Sequence, residues 1–165
     1  MIQLLISDAL DSFRCCLDED RENFLRRKAV QFIQRNWCSV YLIVDKQEFD
    51  SVRIKVDVYF TLSHKTLIPT SASKTSVKDA SGFKEVHFVL IGQLVKYIER
   101  LDNGKLCGSD IFNKEILDDV FEIIRASSAL IPCRCILVEC NNNPKVHKIY
   151  TDYKFKKIQY DEEHH

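Results

Sequence analysis

Apolar positions along this chain recur with two different periods, and the switches between them outline its elements. In "DEDRENFLRRKAVQFIQRN", Phe24, Leu25, Ala29, Phe32 and Ile33 fall at helical spacing, with acidic residues first and basic ones later, as the helix dipole favours. The spacing predicts a helix over residues 19–35. "CSVYLIVD" and "SVRIKVDVYFTLS" are β-branched, aromatic and partly alternating; the short polar turn between them predicts two antiparallel neighbours. Residues 69–84, "PTSASKTSVKDASGFK", are rich in Ser, Lys and Gly, show no sustained period, and predict a loop or a loosely helical excursion. "EVHFVLIGQLVKY" returns to a strand, apolar on both faces from Phe88 to Ile91, as in a central buried strand.

"IERLDNGKLCGSD" reads as a turn containing Gly104 and Gly108, and it leads into "DIFNKEILDDVFEIIRASSAL". There Phe112, Ile116, Leu117, Val120, Phe121, Ile123 and Ile124 form a broad apolar stripe on a long second helix. Beyond Pro132, "CRCILVEC" predicts a second central strand, "NPKVHKIYTDY" a short helix with Pro144 at its favoured early position, and "KFKKIQYD" a final strand. No internal repeat is present. Strands interrupted by helices in this order predict an α/β (α+β) fold, a mixed sheet with helices on its faces.

With 165 residues the chain forms one domain with a sizeable core, spanning residues 1–165. Its 24 basic and 24 acidic side chains exclude a uniformly basic nucleic-acid binder. A local run such as Arg26, Arg27 and Lys28 attracts phosphate or simply forms a solvated helix face. No stretch approaches the roughly twenty apolar residues of a membrane span. "MIQLLISDALDSF" lacks the basic flank and cleavage site of a signal peptide, so the expectation is a cytoplasmic protein without membrane contact. Seven irregularly spaced cysteines fit a reduced compartment. Cys133 and Cys135 share one strand face without a second ligand pair, so they predict packing and no metal. The closing "DEEHH" is assigned no function.

A strand, a glycine-bearing turn and a long helix together make a recurring anion site, because the first helical amides are unpaired and lie at the positive end of the dipole. Gly104 and Gly108 allow a close approach of phosphate there; glycines in such turns also serve purely steric ends. Both readings stand on the turn alone.

The wider pattern bears on the choice. "LIGQLVKYIERLDNGKLCGSDIF" followed by "ILVECNNNPKVHKIYTDYKF" resembles the GCN5-related N-acetyltransferase family, in which a strand, a phosphate-binding turn and a helix hold the acyl-coenzyme A pyrophosphate. The family's second block reads Asn-x-x-Ala-x-x-Phe-Tyr-x-x-x-Gly-Phe. Here Asn143 stands at the asparagine, Val146 at the alanine, Ile149 and Tyr150 at the Phe-Tyr pair, and Lys154 with Phe155 at Gly-Phe. "SFRCCLDEDRENFL", "DVYFTLS" and "FVLIGQLVK" resemble blocks of the acetyltransferases related to toxin–antitoxin modules, in the same order, from about Phe13 to Ile158. The phosphate signature, Arg/Gln-x-x-Gly-x-Gly/Ala, departs here: its register covers Asn103, Gly104, Lys105, Leu106, Cys107 and Gly108, with Asn at the first position and Leu106 at the first glycine.

The resemblance implies a mostly antiparallel sheet with a central, splayed parallel strand pair and helices on both faces. It implies acetyl-CoA as cofactor and transfer of the acetyl group to a primary amine. By position, Leu94, Val95 and Lys96 would pair with the pantetheine arm, unless they simply pair within the sheet, and residues 103–108 with Ser109 would hold the pyrophosphate. Tyr150 matches the general acid that protonates the departing thiolate; a lone tyrosine on a short helix otherwise reads as packing. Asn143 would touch the arm or cap its helix. Glu139 is the candidate base, with a salt bridge to Arg134 or a neighbouring lysine as the alternative. His64 and His87 are left to hydrogen bonding.

The toxin branch implies the amino group of aminoacyl-tRNA as acceptor, reached over Arg26, Arg27, Lys28, Lys145 and Lys148, and an antitoxin protein as partner. A non-catalytic binding module of the same fold is the competing class, favoured by the broken phosphate signature. The oligomeric state stays open, a homodimer included.

Overall fold

The computed structural model describes residues 2–44, 54–68, 84–129, 135–140 and 143–158, with side chains from residue 7 onward. The chain opens with α1 (Ile2–Ser12), a helix that was not expected from the pattern; Ala9, Leu10 and Phe13 bury one face of it. The helix expected over 19–35 forms in three stretches, α2 (Glu19–Asn23), a π-helical turn Phe24–Lys28, and α3 (Ala29–Gln34). Asp18 caps α2 by accepting from the Arg21 amide at 3.1 Å. Phe24 and Leu25 within this wide turn, and Ala29 just after it, are buried against the core.

Strands β1 (Ser39–Val44), β2 (Val56–Leu67) and β3 (Val86–Lys96) form where alternation predicts them, in two antiparallel ladders. β4 (Ile98–Arg100) and β5 (Leu106–Gly108) make a separate hairpin. Then come α4 (Asn113–Ser128), β6 (Cys135–Val138) and α5 (Pro144–Asp152). The main sheet runs β1-β2-β3-β6, with β6 parallel to β3.

Two clusters divide the sheet's faces. Phe13, Phe24, Leu25, Tyr59, Val95 and Tyr97 bury α1 to α3 on one side, while Phe60, Leu62, Ile91, Val120 and Ile124 bury α4 on the other. This two-layered cover is the arrangement expected of the mixed sheet.

The final strand predicted from "KFKKIQYD" does not form over Lys154–Ile158. Phe155 instead stacks on Phe121 of α4, with ring centroids 6.0 Å apart, and Ile158 packs beside Phe88 and Leu137. The loop read over 69–84 lies outside the described residues apart from Lys84. Arg134 and Cys133 lie outside them as well. No helix among the described residues is long and apolar enough to cross a membrane.

Candidate active site

The site starts from a mismatch of strand lengths. β6 pairs with β3 only from Phe88↔Cys135 to Ile91↔Val138, yet β3 runs on to Lys96. From Gly92 onward one edge of β3 therefore has no strand beside it among the described residues.

A bulge lies at that exit. The register with β2 steps from Leu62↔Ile91 to Phe60↔Leu94, so Gly92 and Gln93 together oppose Thr61. The Gln93 amide donates to Thr61 Oγ1 at 2.9 Å, and a Cβ on Gly92 would come within 3.0 Å of the same oxygen. Further along, the Tyr97 amide donates to the Asp57 carbonyl at 2.7 Å. Strand alternation then points the peptide groups of Val95 at β2 and those of Leu94 and Lys96 into the open gap. Of the three residues predicted to line the cofactor arm, Leu94 and Lys96 offer backbone groups there. Val95 turns its side chain into the α1–α3 core and its peptide groups to β2.

Behind the bulge sits a buried phenol. Tyr59 Oη donates to the Arg21 carbonyl at 2.8 Å and is in hydrogen-bond contact with the Gln93 carboxamide. Burial drives the Tyr59 pKa well above the ordinary tyrosine range, with the Arg21 guanidinium pulling weakly the other way.

The same guanidinium acts on Tyr150, half-buried on α5. Burial raises the Tyr150 pKa from its ordinary value, the Cys140 thiol after β6 adds to the rise, and Arg21 opposes it. The phenol thus stays protonated through neutral pH. Its helix is well specified: Asn143 accepts from the Lys145 amide at 3.0 Å as N-cap, and Pro144 occupies the first turn. Of the two roles read for Asn143, capping is the one this contact fills. At the other end, Lys154 takes φ +67°, and the Phe155 amide reaches the Tyr150 carbonyl at 3.1 Å. Lys154 and Phe155, read in the sequence as standing at a Gly-Phe pair, form this helix-closing turn.

One structural expectation needs correction. The stretch 98–110 is not a strand-to-helix turn. Asn103, Gly104 and Lys105 belong to the tip of the β4–β5 hairpin: Gly104 has φ +79°, its amide donates to the Leu101 carbonyl at 2.8 Å, and Asn103 Oδ1 accepts from the Lys105 amide at 2.9 Å. Leu106, Cys107 and Gly108 are strand β5, and the helix begins only at Asn113. The Asp-Asn-Gly run supplies the turn chemistry of this hairpin tip. Gly108 serves close approach, since a Cβ there would lie 2.9 Å from the Tyr97 carbonyl oxygen. Ser109 is engaged locally, its amide donating to the Tyr97 carbonyl at 3.0 Å and its Oγ accepting from the Ile111 amide at 3.3 Å. The segment nearest α4 is instead 109–112, pinned to β3 by Lys96 Nζ, which donates to the Ile111 carbonyl. Phe112 at the N-cap offers no side-chain cap to the first amides of α4.

Glu139, read as a candidate base, is an exposed ion-pair partner of Lys65 on β2. The alternative of a neighbouring lysine is the one found; the Arg134 alternative lies outside the described residues.

Sequence reasoning missed Gln93, Tyr59, Thr61 and Arg21. Gln93 stood inside the quoted "IGQL" block, but nothing in one strand's sequence marks a bulge, which exists only relative to its neighbour. Among the described residues, no group of three His, Cys, Asp or Glu side chains is arranged to hold a metal.

No family model matches the chain, and no curated protein matches it. Solved structures do. A tyrosine-to-phenylalanine variant of KacT superposes with a TM-score of 0.67 at 17% identity, over 95% of this chain and 84% of that one. AtaT complexed with acetyl-methionyl-tRNAfMet gives 0.66 at 19% identity, over 96% and 88%. A tyrosine-to-phenylalanine AtaT toxin bound to the C-terminus of the antitoxin AtaR and acetyl-CoA gives 0.65 at 17%, over 95% and 84%. The chain has the GCN5-related N-acetyltransferase fold that its sequence blocks predicted, in the form carried by these toxins.

Proposed function

We propose that the chain is an acetyl-CoA-dependent N-acetyltransferase acting on a primary amine. The observation that carries this reading is the edge of β3 left open beyond Ile91 among the described residues, and the protonated, half-buried Tyr150 on α5, the helix that follows β6, supports it. The backbone groups of Leu94 and Lys96 suit an extended amide-bearing arm, because each is a donor and acceptor pair without a strand opposite. The uncapped amides at the start of α4 suit a pyrophosphate better than the β4–β5 hairpin does. Bound there, acetyl-CoA would supply the activated thioester.

In this mechanism the chain's own groups do three things. The Leu94 amide, aimed into the gap, supports negative charge developing on a carbonyl oxygen. Tyr150 donates its phenolic proton or hydrogen bond to the departing thiolate. Its raised pKa makes it a weak acid, so the hydrogen bond matters more than complete transfer. The amine loses its proton to water, because the Lys65 ion pair occupies Glu139.

For the acceptor, we favour the amino group of aminoacyl-tRNA. The tRNA complex of AtaT supports it by analogy. So does unpaired positive charge on the surface: among the described residues, Arg27, Lys28 and Lys145 are exposed cations outside any ion pair, whereas Arg26 pairs with Glu22 and Lys148 with Asp152. A protein antitoxin is the partner this reading implies, as AtaR is for AtaT.

Calorimetric titration with acetyl-CoA tests the enzyme reading, and no binding at millimolar cofactor would sink it. Growth arrest on expression, relieved by Tyr150→Phe, tests the toxin reading; unimpeded growth points to another acceptor. One observation favours a non-catalytic module, the use of Gly104 and Gly108 in a hairpin, and the same titration decides between the two.

A further inference from the structure

The buried Tyr59 hydroxyl carries a single proton, and both of its contacts compete for that proton. The Arg21 carbonyl, 2.8 Å away, can only accept. The Gln93 carboxamide must therefore approach Oη with its NH2 group, an orientation reached by a half-turn of the side-chain amide. Tyr59 is completely buried, so neither contact can be replaced by water.

This fixes the other end of Gln93. With NH2 held by Tyr59, its carbonyl oxygen faces away from the core. The residue is only partly buried, and among the described residues neither end of its amide is left as a buried atom without a partner, so the outer atom meets solvent. It does so two residues past the last β3–β6 pair, Ile91↔Val138, next to Leu94, whose amide points into the gap. The Arg21 carbonyl that holds Tyr59 belongs to α2, so the phenol ties this helix to β2 and, through Gln93, to β3.

We infer that Gln93 Oε1 is the acceptor-binding group of the site: it takes one N–H of the incoming primary amine and so turns the nitrogen lone pair toward the gap. Tyr59 is its positioning residue. A locked acceptor selects for an N–H bearing nucleophile and against hydroxyl or water only weakly, but it orients the amine where a free glutamine would not. The inference deepens the proposed function and rests on it.

The test compares wild type, Gln93→Met, Tyr59→Phe and the double variant with two acceptors, bulk aminoacylated tRNA and methioninamide. Gln93→Met should raise the acceptor KM about tenfold, the equivalent of one neutral hydrogen bond of about 1.4 kcal/mol, with the acetyl-CoA Kd unchanged. Tyr59→Phe should raise the acceptor KM in the same direction, and the double variant should be no worse than Gln93→Met alone. Independently of turnover, the side-chain NH2 protons of Gln93 should exchange slowly with solvent in wild-type protein and rapidly in Tyr59→Phe. An unchanged acceptor KM in Gln93→Met overturns the assignment, as does an equal loss of acetyl-CoA affinity, which would mark Gln93 as structural. Fast exchange in wild type overturns the positioning by Tyr59. If wild type acetylates neither acceptor, the proposed function falls and takes the acceptor site with it.

Discussion

The Phe155 amide reaches back to the Tyr150 carbonyl, 3.1 Å away, while the Phe155 ring meets the Tyr150 ring edge-on with centroids 5.5 Å apart. One residue thus closes the helix and fixes the phenol it carries. The turn that permits this runs through Lys154 at φ +67°, a left-handed conformation that costs an L-residue with a Cβ.

Lys154→Gly should therefore stabilise the protein by roughly 0.5–1 kcal/mol, whereas Lys154→Val should destabilise it by more than that. Thermal or urea denaturation of both variants checks the pair. Equal stability of the two would mean the cap does not hold α5.

Tyr150→Phe keeps the ring contacts and removes only the hydroxyl. Turnover should fall by about 10²-fold, the scale of one general acid, while calorimetry finds acetyl-CoA affinity nearly unchanged. In the wild type, the raised Tyr150 pKa keeps the phenol protonated, so its loss should cut activity only above the ordinary tyrosine range. A descending limb near neutral pH that disappears in Tyr150→Phe would contradict the assignment.

Glu139→Gln should leave turnover close to wild type, since the carboxylate is exposed and already paired with Lys65. Stability should shift by less than about 1 kcal/mol, as for other surface pairs. A fall in turnover comparable with that of Tyr150→Phe would restore Glu139 as the base.

Gly108→Ala forces a Cβ to 2.9 Å from the Tyr97 carbonyl in a paired strand. It should cost about 1–3 kcal/mol. The hairpin is predicted to matter for folding more than for cofactor affinity, so Tm should drop while the acetyl-CoA Kd of the remaining folded protein holds.

Alkaline pH probes the buried phenols. Burial pushes the Tyr97 pKa up to about 12 and raises those of Tyr59 and Tyr150. In the unfolded chain these groups titrate near 10, so the unfolded state loses protons first and gains stability relative to the fold. Folding stability should be unaffected by these groups below about pH 10 and fall between about pH 10 and 12. Denaturant titrations across this range should show a shallower fall in Tyr97→Phe.

The fold was readable wherever one face of an element is buried, because period alone then identifies it. β1 to β3, the helical run from Glu19 and the stripe Ile116, Leu117, Val120 and Ile124 all declared themselves that way. α5 was marked by chemistry, Asn143 and Pro144 at its start. The three-residue strands β4 and β5 carry too little pattern to register, so their glycines suggested a phosphate turn. Among the candidate site residues, Tyr150 was singled out because a block of spacing surrounds it. Arg21, Tyr59 and Gln93 were not, since what joins them is a contact among α2, β2 and β3.

The extra residue at Gly92–Gln93 also sets the phase of everything after it. Ile91 and Leu94 pack in the same α4-facing cluster although an odd number of steps separates them, which an unbroken strand cannot do. Removing one residue there would bring β2 and β3 into continuous register while leaving Leu94 opposite Phe60 and Val95 opposite Tyr59. Each would keep its face, and the peptide groups of Leu94 and Lys96 would still meet the gap. What a one-residue deletion would take away is the local bend of β3 at the mouth of the gap, and with it the placement of the Gln93 amide against Thr61 Oγ1.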